Sequence, residues 1–141
     1  MKLTFLGTRG EIEARTRRHR MHTSLLVEYR GGRVMVDAGE DWREAVHELR
    51  PRPHGIVVTH AHPDHAWGLE TGAPAPVWAT GVAWEAMEGY AIPRSERRAV
   101  ELRTPFRIRD IVFEAFGVEH SIRAPAVGYR IRAGRVTVWY A

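Results

Sequence analysis

The sequence predicts an α+β domain, and three features of the chain support this prediction. Apolar segments flank Gly31-Gly32 and Ala133-Gly134, which is typical of β-hairpins near the two ends of the chain. Between them, residues 41–50 and 82–90 have apolar side chains at helical spacing. Residues 56–58 (Ile-Val-Val) form a short continuous apolar run, which indicates a strand buried on both faces.

The first half of the chain is predicted to alternate strands with a helix. Residues 2–7 form a first strand that ends at a glycine, and residues 23–29 and 33–38 form the first hairpin. Residues 41–50 are predicted as a helix because Trp42, Val46 and Leu49 recur at helical spacing, and Pro51 stops it. The buried strand at residues 56–58 follows.

The second half is predicted to be mostly strand. A short strand is expected at residues 77–79 and a helix over residues 82–90. Further strands are expected at residues 99–102, 106–108, 111–116, 127–132 and 135–140. We find no internal repeat or linker, and 141 residues is the size of one domain, so we expect a single domain over residues 1–141.

Composition restricts the chemistry that the chain can support. It is 44% hydrophobic and 27% charged, and no run reaches the roughly 18 apolar residues that a membrane span requires. The amino terminus leads directly into a strand rather than a signal peptide, so we expect no membrane association and a cytoplasmic location. The absence of cysteine excludes disulfides and thiolate metal sites, so a metal ion would need histidine and carboxylate ligands.

Positive charge is concentrated between the first two predicted strands. The chain has a net charge of +4, and the basic loop contains Arg9, Arg15, Arg17, Arg18, His19, Arg20 and His22. Such a loop favours an acidic partner or substrate, although a solvated surface loop would have the same composition. Asn and Gln are absent, which fits a protein from a thermophile, but a GC-rich genome would explain the excess of arginine equally well.

Four polar side chains follow the buried strand directly, namely His60, His62, Asp64 and His65. Imidazole and carboxylate are the ligands that divalent ions such as Zn²⁺ prefer when sulfur is absent. Alternate side chains of an extended segment project to the same side, so His60 and His62 can hold one ion together. Pro63 favours a helix start, which directs Asp64 and His65 towards a neighbouring position. This spacing predicts a site for two adjacent metal ions, and a chance cluster of polar loop residues is the alternative.

The segment around this cluster resembles the signature of the metallo-β-lactamase superfamily. The resemblance rests first on the motif THAHPDH at residues 59–65. The motif VDAG at residues 36–39 resembles the family's Asp-x-Gly turn, and FLGTRG at residues 5–10 resembles the opening of the tRNase Z and phosphodiesterase branch. The motif VEHS at residues 118–121, followed by GYR at residues 128–130, resembles the segment with the family's third metal histidine. The resemblance spans nearly the whole chain in the expected order.

This resemblance implies a dinuclear metal site. By position, His60, His62 and His120 would bind one divalent ion, and Asp64 and His65 would bind the second. The resemblance implies two zinc ions, with manganese or iron as alternatives that histidine and aspartate also accept.

Supporting roles are implied for two carboxylates. Asp64 would act in catalysis beyond its role as a ligand, by holding the attacking water and accepting its proton. Asp37 would hydrogen-bond a ligand from behind, or would only cap the helix that begins near residue 41. We assign His47 to a helix surface and His54 to a loop, outside the site.

The family fold is a four-layer αββα sandwich made of two similar halves. The resemblance covers about the first half, for which we expect one mixed β-sheet with flanking helices. The family's bridging aspartate and final histidine have no counterpart up to residue 141, so we expect the chain to be truncated before these later metal-ligand motifs. The alternatives are a split protein completed by a second-half chain, and a half-domain that pairs with itself as a homodimer.

The implied function is that of a metal-dependent hydrolase, in which two metal ions activate water as hydroxide. The basic loop and the tRNase Z-like opening favour a phosphodiester substrate, either RNA or a nucleotide-like molecule. A hydrolase of thioesters, lactones or other carbonyl compounds is the alternative on the same fold. A non-catalytic, metal-binding half-domain that needs a partner chain is the third hypothesis.

Overall fold

The computed structural model describes residues 1–121 and 124–141, which form two β-sheets packed face to face. The first sheet has six strands in sequence order: β1 (Lys2–Gly7), β2 (Ser24–Tyr29), β3 (Gly32–Val36), β4 (Gly55–Val57), β5 (Val77–Thr80) and β6 (Arg97–Val100). The second sheet has the order β10-β9-β8-β7, with β7 (Phe106–Ile108), β8 (Ile111–Ser121), β9 (Ala124–Ala133) and β10 (Val136–Tyr140). Within these residues, no helix is long and apolar enough to cross a membrane.

The first sheet is mixed. Strands β1, β2 and β3 pair antiparallel, whereas β3, β4, β5 and β6 pair parallel. Parallel strands need crossover connections, and short helices supply them here. These are α1 (Ala45–Glu48), α2 (Pro63–Ala66) and α3 (Gly81–Ala86), with 3-10 turns at Glu40–Trp42, Trp67–Leu69 and Arg94–Glu96.

Two hydrophobic layers lie on opposite faces of the first sheet. Because successive side chains of a strand point to opposite faces, Val57 of β4 packs between the sheets while Ile56 and Val58 pack against the helices. All three side chains are fully buried. This confirms the prediction of a strand buried on both faces, and Thr59 and His60, which follow it, are buried as well.

The α+β class is confirmed, but the chain forms two sheets where we expected one. The second sheet arises because β8 and β9 form a long hairpin, in which Val112 pairs with Arg132 and Val118 pairs with Ala126. Strand β8 therefore extends to Ser121, beyond the predicted end at residue 116. The extension places His120 beside the carboxyl end of β4, where its ring centroid lies 4.4 Å from that of His60.

The helices are shorter than the apolar periodicity predicts. The segment at residues 41–50 begins as a 3-10 turn, and α1 covers only Ala45–Glu48. Trp42 is held there by its indole nitrogen, which donates a 2.9 Å hydrogen bond to the carbonyl of His22. The chain is already extended at Leu49, and the ring of Pro51 disfavours a helical conformation at the next residue, Arg50. Likewise, α3 ends at Ala86 rather than at residue 90.

Candidate metal centre

The candidate centre lies at the carboxyl ends of the neighbouring parallel strands β3 and β4. Val36 pairs with Val57, so the two chains leave the sheet side by side, and the backbone nitrogen of Asp37 donates a 2.9 Å hydrogen bond to the carbonyl of Val57. Thr59 then donates to the Asp37 carboxylate twice, from its backbone nitrogen and from its hydroxyl, each at 2.8 Å. These bonds hold Thr59, the first residue of the THAHPDH motif at residues 59–65, in place.

Asp37 acts as a buried anchor for one of the predicted ligands. Its side chain is fully buried, and its backbone has a φ of 62°, a left-handed conformation that aspartate tolerates better than most residues. The ring nitrogen Nδ1 of His65 lies 2.7 Å from Asp37 Oδ2. Since a carboxylate only accepts, Nδ1 carries the proton and Nε2 is left to face the site. Asp37 therefore holds His65, and the 3-10 turn at Glu40–Trp42 instead has Gly39 at its N-cap.

Helix α2 begins at Pro63, as the sequence predicts, and turns Asp64 inward. The backbone nitrogen of Ala38 donates a 2.7 Å hydrogen bond to the carbonyl of His65, which ties α2 to the end of β3. The approach is close enough that a Cβ on Gly39 would overlap the backbone oxygen of Asp64. Asp64 is buried, and its Oδ2 lies 3.3 Å from Nε2 of His65.

Three histidines from the two sheets converge. One ring nitrogen from each of His60, His62 and His120 lies within 4.8 Å of the others. The Nδ1 of His62 lies 3.1 Å from Nε2 of His60 and 3.3 Å from Nε2 of His120. These ring nitrogens face one another, and three imidazoles are a protein ligand set found in catalytic zinc sites. The donor set therefore fits a divalent ion.

A second group of potential ligands includes a residue that the sequence analysis missed. Oxygen atoms of Glu11 and Asp64 and a ring nitrogen of His62 lie within 4.8 Å of one another. Glu11 belongs to the basic loop, 49 positions before the histidine motif begins at His60 by the chain numbering. No spacing rule connects residues so far apart, and its position directly after the FLGTRG motif is the only local signal.

The pKa values of the histidines at the centre shift in opposite directions. Burial, followed by the charges of the neighbouring histidines, lowers the pKa of His60 to about 3. Burial alone would also lower the pKa of His65, but hydrogen bonds with Asp37 and Asp64 outweigh it and raise this pKa to about 10. Burial raises the pKa of Asp64, yet the hydrogen bond and charge of His65 more than compensate, so the net shift is downward. His60 is thus neutral, the form that binds a metal, and Asp64 is a carboxylate. The raised pKa of His65 means that both of its ring nitrogens carry protons in the metal-free chain, so a metal ion bound at Nε2 would displace the proton there.

The second sheet is joined to the first at the centre. Tyr129 donates a 2.9 Å hydrogen bond to the carbonyl of Val58, and the backbone nitrogen of Val127 donates one of 3.1 Å to the carbonyl of Thr59. A cavity of about 400 Å³ opens beside these bonds, and its lining includes Asp37, His60, His65, His120 and Tyr140.

The basic loop has a buried part and an exposed part. Arg9 is only 4% exposed, and its guanidinium pairs with Asp41. His22 is also buried, and its Nδ1 accepts a 3.2 Å hydrogen bond from the backbone nitrogen of Asp41. Since burial lowers the pKa of His22, it accepts this bond as a neutral ring. The solvated-surface interpretation is therefore wrong for Arg9 and His22, whereas Arg17, Arg18 and Arg20 are exposed.

The two histidines that we left out of the site lie elsewhere. His47 is exposed on α1. His54 precedes β4, at the opposite end of that strand from the centre, and its Nδ1 accepts a 3.2 Å hydrogen bond from the backbone nitrogen of Arg33.

Sequence comparison finds a matching family model and similar curated proteins. The family model described as "Metallo-beta-lactamase superfamily" matches residues 17–133. A ribonuclease Z from Kineococcus radiotolerans is 31% identical over 95% of this chain and 49% of its own length. The chain spans about half the length of the curated relatives it matches.

Solved structures share the fold. The metallo-β-lactamase fold protein YhfI from Bacillus subtilis superimposes with a TM-score of 0.76 over 97% of this chain and 60% of its own, at 15% identity. The short form of human tRNase Z superimposes with a TM-score of 0.67 over 99% of this chain and 68% of its own, at 20% identity.

Proposed function

Because the chain belongs to the metallo-β-lactamase superfamily, we propose that it provides the metal-binding part of a metal-dependent phosphodiesterase or nuclease. The observation that supports this most strongly is the convergence of His60, His62 and His120 within 4.8 Å, from two different sheets. Three imidazoles placed this close repel one another as soon as they are protonated, so the cluster contributes little to the stability of the fold. Binding of a cation explains why the three imidazoles converge.

The proposed ligand set divides into two neighbouring positions. His60, His62 and His120 hold one divalent ion, and Asp64 and His65 contribute to a second. Divalent ions at such positions lower the pKa of bound water and stabilise the negative charge that develops on the phosphate oxygens. Zinc suits the three-imidazole position, and manganese or iron is also compatible with histidine and aspartate ligands.

The chain's own groups position the ligands and move the proton. Asp37 keeps the proton of His65 on Nδ1, so that Nε2 is directed towards Asp64 and the site. Asp64 is held as a carboxylate, and in the reaction it orients the attacking water and accepts its proton. Asp37 orients His65, and Asp64 acts on the attacking water. Removal of either carboxylate should therefore reduce the rate of hydrolysis.

The proposed substrate is a phosphodiester, with RNA as the first candidate. The relative from Kineococcus radiotolerans is named a ribonuclease Z. Arg17, Arg18 and Arg20 are exposed in the loop that begins beside the centre, where they can contact backbone phosphates. Hydrolysis of a thioester or lactone uses the same site chemistry, and only a substrate test separates the two classes.

The test compares three substrates on one preparation. The chain is loaded with zinc, manganese or iron and assayed on bis-p-nitrophenyl phosphate, RNA and a thioester. We expect hydrolysis of the phosphodiesters, loss of at least about 100-fold in rate for His120→Ala, and no change for His47→Ala on the exposed face of α1. Cleavage of the thioester alone would contradict the proposal.

Metal binding without turnover would instead favour the non-catalytic half-domain. That hypothesis requires a second copy or a complementing second-half chain, which light scattering of the metal-loaded protein would detect as a dimer or a mixed complex.

A further inference from the structure

The basic loop brings one acidic side chain into the metal centre. A carboxylate oxygen of Glu11 lies within 4.8 Å of ligand atoms of Asp64 and His62. We propose that Glu11 is a further ligand, which binds a divalent ion together with Asp64. This inference rests on the proposed metal centre and extends it by a residue outside the histidine motif.

The loop backbone on both sides of Glu11 is held in place. Arg9 is buried, and its guanidinium donates to the carbonyl of Ile12 while it pairs with Asp41. The backbone nitrogen of Ile12 donates a 2.8 Å hydrogen bond to the carbonyl of Gly10. Glu11 is thus the central residue of a tight turn that a buried arginine closes, which limits the directions that its exposed side chain can take.

The same turn lies against the carboxylate of Asp64. A Cβ placed on Gly10 would be 3.7 Å from Oδ2 of Asp64, an ordinary van der Waals distance. Gly10, the neighbour of Glu11, therefore lies close to Asp64 whichever rotamer Glu11 adopts. Glu13, two positions further along the same loop, is exposed and is not among the ligand atoms of this group.

Charge explains why a cation belongs between these groups. Two carboxylates held within 4.8 Å of each other repel, and a divalent cation neutralises both. The two positions then differ in character, because the three imidazoles suit zinc whereas a position with Glu11 and Asp64 is rich in oxygen. Oxygen ligands favour harder ions such as Mn²⁺. Glu11 would therefore raise the affinity of the second position for an ion such as Mn²⁺.

The test measures manganese binding rather than turnover. The 141-residue chain is first loaded with one equivalent of zinc and then titrated with Mn²⁺, while electron paramagnetic resonance reports the free ion. We expect Glu11→Gln to weaken Mn²⁺ binding about tenfold or more, since the loss of groups around a metal typically costs 10–100-fold. We expect Glu13→Gln, which removes the same charge from the same loop, to bind as the unchanged chain does.

Three outcomes would overturn the inference: Mn²⁺ binding by Glu11→Gln equal to that of the unchanged chain, an equal loss in Glu13→Gln, or no bound Mn²⁺ in the unchanged chain. The titration needs no substrate, so failure of the phosphodiester assay leaves its result intact. Conversely, a chain that cleaves phosphodiesters while Glu11→Gln binds Mn²⁺ normally would refute only the role of Glu11.

Discussion

The hydroxyl of Tyr129 in the second sheet donates a 2.9 Å hydrogen bond to the carbonyl of Val58 at the end of the first sheet. Tyr129 is fully buried, and burial raises the pKa of its hydroxyl, so it remains a donor at every ordinary pH. His60 follows Val58 by two positions, whereas His120 belongs to the second sheet. The distance between these two histidines therefore depends on how the sheets are docked, and Tyr129 helps to set it.

Removing this hydroxyl tests the docking of the sheets. Tyr129→Phe leaves the buried carbonyl of Val58 without this donor, and we expect the free energy of unfolding to fall by about 1–3 kcal/mol. Urea titration would measure the change. Tyr90→Phe removes a hydroxyl from a half-buried ring outside the centre, and we expect a change within about 0.5 kcal/mol. Equal effects of the two substitutions would contradict the role given to Tyr129.

Asp37 is expected to tune metal affinity without touching the metal. Asp37→Asn keeps the size of the side chain but removes the charge that orients His65, so we expect metal affinity to fall about 10–100-fold. Competition with a chromogenic chelator would measure this. Asp110→Asn changes an exposed carboxylate far from the centre and serves as the control. Unaltered affinity in Asp37→Asn would show that His65 is oriented by other contacts.

Gly39 allows helix α2 to approach the end of β3. In Gly39→Ala, the new Cβ meets the backbone of Asp64, so the helix must shift, and we expect a loss of about 1–3 kcal/mol in stability together with weaker metal binding. Gly81→Ala at the start of α3 meets no atom within 4 Å. There we expect a gain of up to about 1 kcal/mol, because alanine favours the helix. Thermal unfolding with and without metal distinguishes the two variants.

Asp41 should make stability depend on pH in the acid range. Burial alone would raise its pKa, but hydrogen bonds from Arg9 and from the backbone of His22 lower it below the ordinary value. A depressed pKa contributes stability above the unfolded value of about 3.9, and this contribution is lost as pH falls through the folded pKa.

Asp41→Asn removes this contribution and leaves the buried Arg9 without its anion. We therefore expect it to destabilise the chain by on the order of 3 kcal/mol at neutral pH, and the difference from the unchanged chain should shrink below about pH 4. Denaturant titrations at several pH values between about 3 and about 7 would measure the loss of stability and its dependence on pH. This range extends from below the pKa of an unfolded aspartate to well above it. A difference that is constant with pH would rule out the ionised Asp41 as its source.

The exposed arginines should determine how RNA binding depends on salt. Replacing Arg17, Arg18 and Arg20 together by alanine removes three charges, and we expect the slope of log affinity against log salt to fall by about 2, near 0.7 per phosphate contact on a single strand. Arg107→Ala in β7 is a control on the second sheet and should leave the slope unchanged. Fluorescence anisotropy with labelled RNA at several salt concentrations gives the slope directly. An unchanged slope in the triple variant would assign the phosphate contacts to another surface.

Many of the strands could be predicted because they depend on local patterns of apolar and turn residues. Strands β1 and β7 begin and end where apolar alternation and the flanking turn residues predict. The buried strand β4 was recognisable from three consecutive aliphatic residues. The helices were overestimated because apolar spacing does not register the hydrogen bond that holds Trp42 in a 3-10 turn.

By itself, the sequence determined the histidine motif, the buried strand that presents it and the inward turn at Pro63, since these depend on neighbours within a few positions. The family resemblance already implied that His120 joins His60 and His62, and the structure brings it there from a second sheet. Only the tertiary structure decided that this second sheet exists, that Arg9 is buried against Asp41, and that Glu11 approaches Asp64. Each of these relationships joins residues far apart in the chain. They follow from strand pairing and sheet docking, which are set by burial summed over the whole domain and leave no periodic trace in the local sequence.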